Sequence, residues 1–219
     1  MAGCGRKLGD FDCCTVVTGD FRELGDGLPG GSIDLIYGDP PYSEEYVGLY
    51  EDIAAMGSEV LKPDGLCMLM VANVWQDRIM ELMGRHLKYV WMMALWLEGP
   101  DRLVYTRGRN VQDTWRAVLV YGKDESRSLG WVKDSGPLVG MRGDGGDWLF
   151  DPIAVEHWME RLTDPGAVVL DPVCGYGTFP VVAKRAGRHC LGFEIDPSRA
   201  EVAERALESA RRSDLRFNV

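Results

Sequence analysis

Val168-Val169-Leu170-Asp171-Pro172-Val173-Cys174-Gly175-Tyr176-Gly177-Thr178-Phe179, read VVLDPVCGYGTF, is an apolar run that ends in an acid and passes through two glycines. The run is strand-sized and unbroken in its apolar character, which suits a strand covered on both faces. Gly175 and Gly177 allow a tight turn close to a ligand, and small residues let the next helix pack on the strand. Strand, glycine turn and helix together are the building unit of an α/β parallel sheet.

The same alternation extends in both directions. Downstream, Cys190 to Glu194 reads as the last strand, and Asp196-Pro197 caps a helix running to about Arg211. Upstream, Ile153 to Leu162 is helical, and Asp164-Pro165-Gly166 turns the chain into the strand at Ala167. Nearer the N-terminus, Cys13 to Thr18, Ile33 to Tyr37, Leu66 to Val71, Tyr89 to Leu97 and Ala117 to Tyr121 read as strands. Helical spacing runs from Glu44 to Leu61, where Lys62-Pro63-Asp64-Gly65 is expected to turn the chain, and again from Asp77 to His86. The expectation is a Rossmann-like sheet of seven strands in a single domain, residues 1–219, with loops at about 98–110 and 122–147.

Bulk properties narrow the class. A chain of 219 residues fits one domain, and 46% hydrophobic with 26% charged residues is an ordinary globular composition. No apolar run reaches the roughly 20 residues of a membrane span, and MAGCGRKLGD lacks the apolar segment of a secretory signal. The six cysteines are scattered without a CxxC pair, so they are read as reduced thiols in a cytoplasmic protein. His86, His157 and His189 show no ligand spacing, so no metal is expected. The seven tryptophans are assigned to the core by default, with Trp148 a candidate exception. A net charge of −10 argues against broad attraction to nucleic acid. Between Asp101 and Lys133 the balance reverses, and Arg102, Arg107 and Arg109 are the residues expected to contact a polyanion.

The acid at the glycine turn sets the ligand's charge. A phosphate-binding turn recruits a lysine or a bare helix N-terminus. Here Asp171 stands at the strand's carboxyl end, where open α/β sheets bind ligands, and Glu194 follows 23 residues later, where an acid meets ribose hydroxyls. A cationic ligand fits better than a pyrophosphate, and S-adenosylmethionine carries both a sulfonium and an amino group.

A second acid ends the strand of Ile33 to Tyr37, in the stretch IDLIYGDPPY. Asp39 can accept a hydrogen bond from an amino group, and Pro40 offers a carbonyl without an N–H. Two acceptors aimed at one exocyclic amine localise its lone pair and sharpen it as a nucleophile. Positioning and fixed dipoles supply most of the rate in such a reaction. Tyr42 offers a ring on which a planar base could stack, and a base in a duplex would first be flipped out.

With these motifs in hand, the sequence resembles the DNA amino-methyltransferases that act on adenine N6 or cytosine N4. DPPY (Asp39 to Tyr42) resembles their catalytic motif, DPVCGYGT (Asp171 to Thr178) their cofactor motif, and GFEID (Gly192 to Asp196) the ribose-binding segment. The order, catalytic motif first, resembles the circularly permuted β class, and the likeness spans roughly residues 13–210. The resemblance implies a mainly parallel sheet with one reversed edge strand. It implies that Asp39, Pro40, Pro41 and Tyr42 hold the target amine and base. Asp171, Pro172, Cys174, Gly175, Gly177 and Thr178 would line S-adenosylmethionine, with Asp39 adjoining, and Glu194 would bind its ribose. Asp20 and Phe21 would contact its adenine. The Lys-Pro often found ahead of the cofactor strand is replaced by Asp151-Pro152, and Cys174 and Tyr176 stand where small residues are usual. No separate target-recognition domain is expected, so specificity is expected to fall to the two loops, a homodimer or a partner subunit.

The Asp of DPPY favours adenine over cytosine, whose enzymes more often begin the motif with Ser. The alternatives are cytosine-N4 transfer, the same chemistry on RNA or a protein amide, or a non-catalytic subunit of this fold. DNA is the expected partner and a prokaryotic or phage origin the expected source.

Overall fold

The computed structural model describes residues 5–97, 104–105, 111–139 and 152–210. Strands β1 (Lys7–Leu8) and β2 (Phe11–Asp12) pair as a small antiparallel hairpin ahead of β3 (Thr15–Thr18). Then follow α1 (Phe21–Leu24), β4 (Ile33–Gly38), α2 (Leu49–Val60), β5 (Leu61–Val71), α3 (Gln76–Met83) and β6 (Lys88–Leu97). A second short pair, β7 (Val104–Tyr105) and β8 (Gln112–Asp113), precedes β9 (Trp115–Gly122) and β10 (Ser135–Val139). The chain continues through α4 (Pro152–Leu162), β11 (Val168–Asp171), α5 (Thr178–Arg185), β12 (His189–Glu194) and α6 (Pro197–Ser209).

Eight strands form the main sheet, in the order β10-β6-β9-β5-β4-β11-β12-β3. All seven expected strands are in it, and β10 is an eighth, at one edge, within the segment read as loop. Every pairing is parallel except those of β9, which runs antiparallel to both β5 and β6. The reversed strand therefore lies inside the sheet, not at its edge as the resemblance implied.

Both faces of the sheet are covered, which is why its strands read as continuous apolar runs. Alternate residues divide between two cores. Ile36, Leu69, Leu170 and Phe193 pack with Ile53 of α2 and Ile79 of α3. Leu35, Tyr37, Met68 and Val169 pack on the other side with Trp158 of α4 and Phe179 of α5. The Tyr37 and Phe179 rings meet edge to face at 4.7 Å. Lys62–Gly65 does not turn the chain between elements; it bulges within β5, where Leu61 and Leu66 oppose Ile33 and Leu35. The Asp196 cap is in place, with its side chain accepting from the Ser198 and Arg199 amides at 2.8 and 3.3 Å.

Trp158 is fully buried, but Trp91, Trp96 and Trp131 are exposed. The core assignment fails for these three: β6, which carries Trp91 and Trp96, lies one strand in from the edge and leaves part of its surface exposed, and Trp131 lies in the segment between β9 and β10. Trp148 lies outside the described residues. Among the described residues no disulfide joins the cysteines, no cluster could hold a metal ion, and no helix is long and apolar enough to cross a membrane.

Candidate active site

Four adjacent parallel strands, β4, β11, β12 and β3, each deliver a carboxylate at or just past their carboxyl ends: Asp39, Asp171, Glu194 and Asp20. The register sets their neighbourhood. Leu170 pairs with Ile36 and Asp171 with Gly192, so the exits of β4, β11 and β12 lie side by side. The close approach depends on Gly38, where a Cβ would stand 2.9 Å from Asp171 Oδ1. All four acids line one cavity of about 1060 Å³. Pockets of a few hundred to about 1000 Å³ hold drug-sized ligands, so there is room for one molecule and part of a second.

The glycine turn is built by backbone bonds. The Cys174 amide donates to the Phe193 carbonyl at 2.8 Å, and the Gly177 amide to the Cys174 carbonyl at 2.7 Å. Gly175 and Gly177 take φ values of 53° and 86°, the left-handed region that favours glycine. Glu194 holds this turn in place. One of its oxygens accepts from the Gly175 amide at 2.8 Å and the other from the Asp196 amide at 2.9 Å. Each carboxylate oxygen keeps a second lone pair for a ligand hydroxyl.

Asp171 is almost fully buried, and Val173 N–H donates to its Oδ1 at 3.1 Å. Its carboxyl is pushed well above the ordinary range, first by burial and then by the negative charges of Asp39 and Glu194. Cys174 packs beneath the turn against Gly192, and its thiol is also pushed up, chiefly by burial. A cavity walled by acids, one of them strained toward protonation, is suited to a cation.

At the other wall, Tyr42 donates its hydroxyl to Asp39 Oδ1. The Arg116 guanidinium carbon sits 4.2 Å from the Tyr42 ring centroid. Burial pushes the half-buried Asp39 carboxyl up to about 6, against the opposing pull of the Tyr42 hydroxyl and the Arg116 charge. Tyr42 thus does not offer both ring faces to a base, since one carries a guanidinium.

The cavity collects Pro40, Pro41, Phe21, Pro172, Gly175 and Thr178 besides these acids. Gly177 is not in its wall; a Cβ there would stand 2.9 Å from Ala203 Cβ, so this glycine serves the packing of α5 on α6. Asp20 is the N-cap of α1 and is paired with Arg22, whose Nε donates to it at 2.9 Å, and that pairing holds its carboxyl below the usual range. Arg102, Arg107 and Arg109 lie outside the described residues, as does Asp151 of the replaced Lys-Pro. Sequence reasoning passed over Arg116, which it counted only as part of a basic stretch, and Ile195, 65% exposed beside Glu194 and lining the cavity. The signal for Arg116 was present: it is the charged residue in the apolar run WRAVLVY.

With this geometry in view, the comparisons with known proteins are informative. The DNA methylase family model of N6/N4 type matches residues 153–205, from α4 through the glycine turn into α6. The type II methyltransferase M.BglII of Bacillus subtilis is 24% identical over 251 residues, covering 88% of this chain and 68% of that protein. The chain is similar to the DNA methylases of N6/N4 type. Two solved structures of similar build share its fold. The PvuII DNA methyltransferase, described as cytosine-N4-specific, superposes with a TM-score of 0.76 at 19% identity, over 95% of this chain and 91% of that one. A Thermus thermophilus protein complexed with S-adenosyl-L-methionine gives 0.71 at 20% identity over 90% and 94%. The family model takes in the glycine turn and does not reach the DPPY stretch.

The raised acids have a consequence for stability. A carboxyl whose folded pKa lies above its unfolded value makes the folded state the better proton binder. Stability then rises as pH falls through the folded value and levels off below about 3.9. Asp39 contributes from about 6 downward and Asp171 from its own raised position. His157, lowered by burial, works in the opposite sense. The readable quantity is therefore the difference between wild type and Asp171→Asn. Melting temperature measured from pH 8 to 5 is expected to climb more steeply on acidification in the wild type. Parallel curves would show that Asp171 is not strained.

Proposed function

We propose that the chain transfers the methyl group of S-adenosylmethionine to the exocyclic N6 amino group of adenine in DNA. The observation that carries the reading is the placement of Asp39 and the glycine turn in the wall of one cavity. The residues fit the cofactor: Asp171 is raised by burial and then by its acidic neighbours and would be relieved by a cation, and each Glu194 oxygen keeps a second lone pair. Asp171 and the turn through Thr178 would hold it, with Glu194 at the ribose and Phe21 and Ile195 at the adenine. S-adenosylmethionine supplies, when bound, an electrophilic methyl group.

The rest is work for the chain's own atoms. Asp39 Oδ1 is engaged by Tyr42, and Oδ2 remains for one proton of the target amine. The Pro40 carbonyl accepts the other. Together they draw the nitrogen lone pair out of the ring and toward the cavity. The proton becomes acidic only after the new N–C bond forms, so a weak base suffices, and Asp39 near 6 is ionised at neutral pH. The base must leave the duplex stack to reach this depth. Arg102, Arg107 and Arg109 are assigned to the phosphates on charge alone. Target recognition is assigned to segments 98–110 and 122–147 or to a partner subunit.

Cytosine N4 presents a similar amine, and the PvuII enzyme is cytosine-N4-specific. Methylation-sensitive sequencing of DNA from cells expressing the chain separates the two. N6-methyladenine in a short, repeated context is the expected result. N4-methylcytosine in its place would overturn the choice of base but leave the amine chemistry standing.

A further inference from the structure

We infer that Arg116 is a positioning residue for this reaction, fixing the Tyr42 ring so that its hydroxyl stays on Asp39. The inference deepens the methyl-transfer reading and rests on it for its kinetic arm only.

Arg116 belongs to β9, the reversed strand of the sheet, and is 5% exposed. Burying a guanidinium is costly unless it is well partnered. Its Nη1 donates to the Val71 carbonyl at 3.5 Å, at the carboxyl end of β5, and its Cζ lies over the Tyr42 ring. Because β9 runs antiparallel, its first residues lie at the same end of the sheet as the last residues of β5. That reversal is what brings a strand-borne cation to the mouth of β4. The Tyr42 ring is thus held through its face by β9 and through its hydroxyl by Asp39.

The groups around Asp39 come from five elements. Tyr42 lies on its own loop, Tyr37 on β4, Tyr50 on α2, Asp171 on β11 and Arg116 on β9. Tyr50 is tied to the Met70 carbonyl at 2.9 Å, and the pKa of each of the three tyrosines is pushed up. Arg116 is the only cation among these five, so its charge acts directly on the acid that receives the amine. A guanidinium is suited to both tasks because it is planar and stays charged when buried.

The test is a carbon-13 titration of the Asp39 carboxyl in the free protein, paired with the pH profile of kcat/KM. In Arg116→Gln the Asp39 midpoint is expected to rise by about one unit, the usual size of a nearby opposite charge. The acid limb of kcat/KM should move up with it, while S-adenosylmethionine affinity stays within about twofold. Arg116→Lys keeps the charge and loses the flat fork. There the midpoint should hold, the Tyr42 ring resonances should move, and kcat should fall about tenfold or more from misplacement. An unmoved Asp39 midpoint in Arg116→Gln would overturn the inference. If that variant does not fold, unchanged Tyr42 resonances in Arg116→Lys would overturn it equally. Absence of methyl transfer by the wild type would sink the functional reading instead, and both resonance measurements would still decide the role of Arg116.

Discussion

Replacement of Asp39 by alanine is expected to lower kcat by about 10²–10³-fold, the cost of deleting one preorganised polar partner of a transition state. The carboxylate's oxygens divide between the Tyr42 hydroxyl and the target amine. Removing them returns the amine's lone pair to its ring and leaves Tyr42 without its acceptor. The hydrogen bonds that close the glycine turn do not involve Asp39, since they run among Glu194, Gly175, Phe193, Cys174 and Gly177. Binding of S-adenosylmethionine by calorimetry should therefore change by about tenfold at most, since Asp39 reaches the cofactor side through its charge on Asp171 and not through the bonds of the turn. A variant that turns over at the wild-type rate would remove Asp39 from the chemistry.

Asp171→Asn should have the opposite profile. The amide keeps the shape and can still accept from Val173 N–H, but the charge that faces a cationic ligand is gone. Breaking a buried charge pair costs about 2–5 kcal/mol in binding, so affinity for S-adenosylmethionine should fall by about 10²-fold or more. The folded apo protein should not suffer, because the carboxyl it loses was disfavoured there by burial and by Asp39 and Glu194. Weak binding together with undiminished melting temperature would mark a functional acid, since a damaged fold would lose both. Retained affinity would mean that the buried acid serves the turn alone.

How much of this was legible in the chain differs by element. The seven strands were readable because buried parallel strands are nearly all apolar, and their order of appearance with helices between fixed the class. The eighth, β10, was not, because Ser135-Gly136-Pro137 looks like a loop. An edge strand tolerates proline, and Gly136 is small because Leu95 and Trp158 crowd it, with a Cβ standing 2.7 Å from Leu95 Cδ2. The position of the reversed strand was also hidden, since strand order is a long-range property that local periodicity does not carry. At the site, both acidic strand ends and the glycine turn could be read from short motifs. Arg116 lies 74 residues from Tyr42 in the chain, and only the antiparallel register of β9 joins them. The role of Glu194 was read as ribose binding alone, but its bonds to the Gly175 and Asp196 amides show that it also shapes the turn.

The most direct test is to incubate the protein with DNA and S-adenosylmethionine carrying a deuterated methyl group, digest the DNA, and identify the labelled nucleoside by mass spectrometry. Label on the N6 nitrogen of adenine, absent when Asp39→Ala replaces the wild type, is the expected result. Label on a ring carbon, such as C5 of cytosine, or an equal yield from the two proteins, would contradict methyl transfer to an amine held by Asp39.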